Sequence, residues 1–121
     1  MSLFEKYGGF ANISKIVHAF YEDAIDSDVI GPYFEHVDMR NLVDHQTKFI
    51  ASVMGGPASY SNDALRKVHA TYDIDRGSFD EMARLLRENL EDFGVQKEDV
   101  DLVMAEIEAR SHLIISGPSD G

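Results

Sequence analysis

The chain has 121 residues, of which 44% are hydrophobic and 10% aromatic, and this composition is typical of a folded globular protein. Its 11 basic and 22 acidic residues give a net charge of −11, which argues against nucleic acid as a partner because both surfaces would be negative. The chain contains no cysteine, which excludes disulfides and thiolate metal sites.

The length and the even composition predict a single domain over residues 1–121, with a frayed tail at about 117–121. No apolar run reaches the roughly 18 residues that a membrane-spanning helix requires, so a membrane is not an expected partner. The start, "MSLFEKYGG", lacks the basic and apolar regions of a signal peptide. We therefore expect a cytoplasmic protein, and the strongly acidic surface favours a monomer.

Two helices are predicted in the first half of the chain from apolar residues that recur at helical spacing. The first begins after a turn at Gly8-Gly9 and carries Ile13, Ile16, Val17, Phe20, Ala24 and Ile25. Asp38 is the expected N-cap of the second, which ends at Gly55-Gly56-Pro57. Its apolar face holds Met39, Leu42, Val43, Phe49, Ile50 and Val53.

Three more helices are predicted in the second half. One covers residues 62–74 and carries Leu65, Val68, His69 and Tyr72 on one face. Another begins with Ser78 as its N-cap, ends at Gly94, and carries Phe79, Met82, Ala83, Leu86, Leu90 and Phe93. The last helix carries Val100, Val103, Met104, Ile107 and Ile114. No segment alternates with a period of two, so the sequence predicts an all-α fold.

Three polar side chains interrupt these apolar faces: Tyr21, Gln46 and His69. Burying an amide or a hydroxyl without a partner costs roughly 1–3 kcal/mol, so each of the three requires a partner. They could satisfy one another or the backbone, as buried histidines and glutamines commonly do. They could also face a buried ligand, for which haem is the natural candidate because it is large, flat and apolar and its iron accepts an imidazole. Periodicity alone leaves these readings open.

Four sequence blocks follow one another along the chain: "LFEKYGG", "AFYEDAI", "PYFEHVDMRNLVDHQTKFIASVMGGP" and "VHATYDI". In their order and spacing they resemble the group I truncated haemoglobins, the two-over-two globins. The resemblance covers nearly the whole chain, and it implies a truncated globin fold, a two-over-two helical sandwich around a haem b.

The resemblance also implies roles for individual residues. His69 matches the proximal ligand of the haem iron, and the carbonyl of Leu65 is the expected acceptor for its second ring nitrogen. Tyr21 and Gln46 match the distal pair that hydrogen-bonds a diatomic ligand, and we take them as the catalytic residues. Phe34 matches the aromatic residue that wedges against the haem. The other predicted pocket residues are Phe20, Met39, Leu42, His45, Phe49, Ile50, Val68, Ile74, Phe79, Met82, Val103 and Ile107.

His45 leaves the iron coordination open. In some members of the family a distal histidine at this position binds the iron when no external ligand is present. The alternative is that His45 points to solvent at the edge of the haem. Iron bound by both His45 and His69 would favour electron transfer, whereas iron bound by His69 alone would leave a site for gas.

The favoured function is reversible binding of dioxygen, nitric oxide and carbon monoxide by a haem protein with nitric oxide dioxygenase activity, which requires a separate reductase. A gas store or gas sensor would use the same residues, and bis-histidyl electron transfer is a further alternative. The competing class is a haem-free helical module that binds a protein partner, in which Tyr21, Gln46 and His69 would be satisfied internally.

Overall fold

The computed structural model describes residues 2–57 and 74–115. The helix predicted over residues 62–74 lies outside this part of the chain except for Ile74, as does the predicted frayed tail. All regular elements of the described residues are helical, which confirms the all-α prediction. They are α1 (Leu3–Lys6), α2 (Gly9–Asp26), a 3₁₀ helix (Gly31–Phe34), α3 (Met39–Val53), α4 (Arg76–Asp92), α5 (Lys97–Ala109) and α6 (Ser111–Ile114).

The ends of α2 and α3 follow the sequence prediction. Gly8, with φ at +93°, precedes α2 in a left-handed conformation that favours glycine. Asp38 caps α3 by accepting the backbone N–H of Asn41 at 3.3 Å. After α3 the chain turns at Gly55, where φ is +81°, and the N–H of Gly56 returns to the carbonyl of Ala51 at 2.8 Å. The predicted turn residues therefore end these helices.

The N-terminus of α4 differs from the prediction. Asp75, and not Ser78, is the N-cap, because its carboxylate accepts the backbone N–H of Ser78 at 2.7 Å and the helix begins at Arg76. Both are capping residue types, and they stand three positions apart, so the sequence allowed either. With Asp75 at the cap, Ser78 falls inside the first turn and its side chain is buried. At the other end, Gly94 follows α4 with φ at +86°, as expected.

The last predicted helix is divided in two at Arg110. The backbone N–H of Arg110 turns to the carbonyl of Ile107 at 3.0 Å, a contact of i to i−3 type that tightens the chain. In an uninterrupted helix, the carbonyl of Glu106 would accept the backbone N–H of Arg110. Here it accepts the Arg110 guanidinium instead, at 2.7 Å. The helix therefore ends at Ala109, and the short α6 places Leu113 and Ile114 back in the core.

The helices pack as two pairs, α2 with α3 and α4 with α5, and α2 also packs against α4. The shared core is formed by the apolar faces predicted from the sequence. Its fully buried members include Ile13, Ile16, Val17, Phe79, Leu90, Val100, Val103 and Ile107. Within the described residues, no helix is both long enough and apolar enough to cross a membrane.

A polar cluster joins α1 to the beginning of α5. The carboxylate of Asp99, itself buried, accepts the ammonium of Lys6 at 2.8 Å and the hydroxyl of Tyr7. The backbone N–H of Gln96 donates to the same Tyr7 hydroxyl at 3.1 Å. These contacts lower the pKa of Asp99, chiefly through the hydrogen bond from Lys6 and then through that from Tyr7. The cluster fixes the N-terminal turn on the helical core.

Candidate functional site

A deep apolar cavity opens between α2, the 3₁₀ helix, α3 and α4. Protein atoms leave about 960 Å³ unfilled there, a volume that includes space open to solvent. Eleven residues predicted for the site line this cavity: Phe20, Tyr21, Phe34, Leu42, Gln46, Phe49, Ile50, Ile74, Phe79, Met82 and Ile107. Residues far apart in the sequence, from 20 to 107, therefore meet around one space.

Tyr21 and Gln46 bring polar groups into this apolar lining. Tyr21 lies on α2 and is only 6% exposed, and Gln46 lies on α3 and is partly buried. They reach the same cavity from different helices because α2 and α3 pack against each other. The phenol hydroxyl of Tyr21 and the carboxamide of Gln46 can both donate hydrogen bonds.

Aromatic contacts fix the ring of Tyr21. Its centroid lies 4.8 Å from that of Phe20 and 5.6 Å from that of Phe34, and both pairs meet edge to face. This geometry is favoured because the positive edge of one ring meets the negative face of the other. Phe34, at the end of the 3₁₀ helix, thus both lines the cavity and supports Tyr21.

Six other predicted residues are not among the described residues of the lining. Met39 and His45 of α3 are partly buried and Val103 of α5 is buried in the core, and none of the three is among the described residues that line the cavity. His69, Leu65 and Val68 lie outside the described residues, so the proximal ligand stays a sequence prediction.

Sequence reasoning missed two polar residues of the lining, Tyr33 and Ser78. The hydroxyl of Tyr33 donates to Oγ of Ser78 at 3.3 Å, across 45 positions of sequence. Tyr33 stands beside Phe34 in the "PYF" motif, and this position next to a predicted pocket residue could have indicated that Tyr33 also lines the cavity. Ser78 was hidden because it looked like a helix cap. The apolar residues missed were Val17, Ile30, Leu86 and Ile114.

Ser78 also connects the cavity to the surface. Its backbone N–H and its side chain both hydrogen-bond the exposed carboxylate of Asp75. These contacts lower the pKa of that carboxyl, and the backbone contact has the larger effect. Asp75 is therefore an anion at neutral pH, beside the beginning of α4, where the helix dipole favours negative charge. Ser78 can donate toward Asp75 while it accepts from Tyr33.

The lining of the cavity suits a haem by its chemistry. Its lining is almost entirely apolar, as the body of a porphyrin requires, and it includes two side chains that can donate hydrogen bonds, Tyr21 and Gln46. The cavity is partly open to solvent. The described residues therefore fit haem together with a small polar ligand of its iron.

The comparisons with known proteins decide the family. The family model described as bacterial-like globin matches residues 2–116. The chain belongs to this family. A group 1 truncated haemoglobin of Synechocystis is 30% identical over 115 residues, which cover 92% of this chain and 93% of that protein. One from Tetrahymena thermophila is 28% identical over 94 residues, covering 78% of each chain. These matches place this bacterial-like globin among the group 1 truncated haemoglobins.

Solved structures show the same fold. The truncated haemoglobin of Tetrahymena pyriformis in its Fe(III) form superposes with a TM-score of 0.87 at 22% identity, covering 96% of this chain and 99% of that one. The group II protein of Bacillus anthracis gives 0.84 at 21% identity, covering 99% and 95%. The two-over-two arrangement of this truncated haemoglobin is therefore confirmed, and membership of the family implies haem-based binding of diatomic gases.

Proposed function

We propose that this truncated haemoglobin binds dioxygen, nitric oxide and carbon monoxide reversibly at a haem b and combines nitric oxide with dioxygen to give nitrate. The observation that carries the proposal is the placement of Tyr21 and Gln46, from two helices, in one apolar cavity. Two hydrogen-bonding side chains from different helices in one apolar lining support the haem proposal over a haem-free module.

The chain's own residues would hold the haem from several sides. Phe34, Leu42, Phe79 and Met82 offer apolar surface to the macrocycle, and each buried square ångström contributes about 25 cal/mol. His69 is the proposed proximal ligand. When bound, the haem would supply the redox chemistry by which dioxygen reacts with nitric oxide.

Tyr21 and Gln46 would hold the gas in place. A phenol hydroxyl and a carboxamide N–H directed at a ligand with partial negative charge each form a strengthened hydrogen bond, worth about 1.5–3 kcal/mol. Because Tyr21 is buried and fixed by two aromatic rings, its hydroxyl loses little freedom when it donates. The apolar neighbours Phe20 and Leu42 limit the entry of water, which would compete for the same donors.

A reductase is the required protein partner. The formation of one nitrate from nitric oxide and dioxygen consumes one electron. Without a supply of electrons, each turnover would leave the protein oxidised. We assign the supply of this electron to a separate protein. Because this chain has a net charge of −11, we expect that protein to dock through a basic face.

Rapid mixing of the oxygenated protein with nitric oxide tests the proposal. The expected result is oxidation within the mixing experiment, together with one nitrate formed for each protein oxidised. Oxidation no faster than spontaneous autoxidation, or oxidation without nitrate, would contradict dioxygenase activity while leaving gas binding intact.

The haem type has a separate test. A structure of the Synechococcus 2/2 haemoglobin, similar to this chain with a TM-score of 0.82 at 23% identity, is described with covalently attached haem. We expect haem b to leave this protein when it is treated with acidified organic solvent. Pigment that stays with the polypeptide would show a covalent attachment and would rule out haem b.

A further inference from the structure

We propose that Ser78 and Glu81 of α4 act as positioning residues for Tyr21, because they hold the segment of residues 27–34 whose last ring packs against Tyr21. The proposal deepens the gas-binding site and rests on the proposed role of Tyr21 as a hydrogen-bond donor. Ser78 and Glu81 are three positions apart, so they lie on the same side of α4.

The first contact is between Tyr33 and Ser78. Ser78 is only 7% exposed, so its Oγ is a buried acceptor in a fixed place, and the Tyr33 hydroxyl donates to it at 3.3 Å. The hydrogen bonds from Ser78 to Asp75 hold that oxygen further. Tyr33 is the immediate neighbour of Phe34, so this contact attaches the 3₁₀ helix to α4 next to Phe34.

The second contact is between Ser27 and Glu81. The Ser27 hydroxyl donates to Oε2 of Glu81 at 2.9 Å, while Ser27 Oγ accepts the backbone N–H groups of Val29 and Ile30. Arg84 holds the other oxygen of Glu81 at 2.9 Å. The hydrogen bond from Ser27 is the main reason why the pKa of Glu81 is lowered, so the carboxylate stays charged at neutral pH.

The segment between these contacts has little room to adjust. At Gly31 an added Cβ would lie 2.6 Å from the carbonyl oxygen of Ile25, so the backbone already touches the end of α2. Phe34 follows, with its ring edge to face with Tyr21 at 5.6 Å. A shift of the 3₁₀ helix would move the ring that supports Tyr21, and with it the direction of the Tyr21 hydroxyl.

The variants Tyr33→Phe and Ser78→Ala each remove one side of the first contact, and Ser27→Ala removes the second. Tyr7→Phe is the matched control, since it also deletes a phenol hydroxyl that bonds a partner, Asp99, but outside the cavity lining. The infrared C–O stretch of the carbon monoxide complex and the nuclear Overhauser contact between the Tyr21 and Phe34 rings are the readouts.

We expect Tyr33→Phe, Ser78→Ala and Ser27→Ala to shift the C–O band in the direction that Tyr21→Phe shifts it, and to weaken the ring contact. Dioxygen should dissociate about two- to tenfold faster, the range of one ordinary hydrogen bond. The pair Tyr33→Phe with Ser78→Ala should have a smaller effect than the sum of the two single changes, because they share the contact between the two hydroxyls. Tyr7→Phe should leave the band in place.

An unchanged band and ring contact in Tyr33→Phe and Ser78→Ala would overturn the proposal. So would an equal acceleration of dioxygen loss with and without the Tyr21 hydroxyl, because the effect would then not pass through Tyr21. These readouts do not depend on the nitric oxide reaction. Failure of nitrate formation with a responsive C–O band would therefore reject the dioxygenase proposal and support the positioning role.

Discussion

The rings of Tyr21 and Phe34 meet edge to face, with centroids 5.6 Å apart and planes inclined at 79°. One residue lies on α2 and the other at the end of the 3₁₀ helix, and both line the same cavity. A hydrogen-bond donor that is oriented before its ligand binds stabilises that ligand without a cost of reorganisation. The rings of Phe34 and Phe20 hold the Tyr21 ring in place, and with it the proposed hydroxyl donor.

Removing the Tyr21 hydroxyl should release dioxygen faster. We expect Tyr21→Phe to raise the dissociation rate of dioxygen about ten- to a hundredfold, because one hydrogen bond to a partly charged ligand is worth about 1.5–3 kcal/mol. Gln46→Leu should act in the same direction. Stopped-flow displacement of dioxygen by carbon monoxide measures the rate, and Tyr7→Phe is the control. An unchanged dissociation rate in Tyr21→Phe would show that the Tyr21 hydroxyl does not hydrogen-bond the bound dioxygen.

His69 is predicted to be the proximal ligand. His69→Gly should bind hemin without the absorption spectrum of an imidazole-bound iron, and added imidazole should restore that spectrum by occupying the space left by the side chain. His36→Gly is the control, since His36 is exposed in the loop before α3. If His69→Gly kept the original spectrum without imidazole, another residue would have to be the ligand.

The anaerobic, reduced protein should show one broad visible band, the spectrum of five-coordinate iron. His45 is partly buried on α3 and is not among the described residues that line the cavity. His45→Ala should therefore leave the reduced spectrum as it is. Sharp, split bands that become a single broad band in His45→Ala would instead establish His45 as the sixth ligand.

Two glycines should respond oppositely to alanine. Gly31→Ala would place Cβ 2.6 Å from a backbone oxygen of Ile25, and such overpacking costs about 1–3 kcal/mol. Among the described residues, the added Cβ of Gly77→Ala meets Asp75 Oδ1 alone, at an ordinary 3.6 Å, so this change within the first turn of α4 should stabilise the fold by about 0.4–1 kcal/mol. Urea unfolding measures both. Equal stability of Gly31→Ala and the parent protein would show that the segment of residues 27–34 can relax, against the rigid arrangement described above.

The Asp99 cluster should make stability fall in acid. The hydrogen bonds from Lys6 and Tyr7 hold the pKa of Asp99 below its ordinary value of 3.8. A carboxyl with a lowered pKa stabilises the folded state above the unfolded pKa, and this contribution is lost as the pH falls through the folded pKa. The melting temperature of Asp99→Asn should thus lie below that of the parent protein from neutral pH down to about pH 3.8, and the gap should close below it.

Asp101→Asn is the control for this experiment. Asp101 lies two positions away on α5 and forms an exposed ion pair with Arg87 at 2.9 Å, and such pairs contribute little. A gap of equal size and equal pH dependence in both variants would show that general acidity, rather than the cluster of Asp99, Lys6 and Tyr7, is responsible.

Most helix boundaries could be predicted from the sequence because their signals are local. Asp38, Gly55 and Gly94 act through backbone groups within a few residues, and the apolar faces of α2 and α3 repeat every three or four positions. The same spacing revealed Tyr21 and Gln46 as polar groups inside apolar faces. Four sequence blocks in order then indicated the family that the comparisons confirm.

Other features were decided only by tertiary structure. Asp75 and Ser78 were both acceptable caps, and the choice follows from the burial of Ser78 against the cavity. The division at Arg110 depends on where one side chain finds its carbonyl. Periodicity indicates which face of a helix is buried, but not what lies opposite it. The meeting of Tyr33 with Ser78 across 45 positions therefore depended on the packing of helices, which no local pattern encodes.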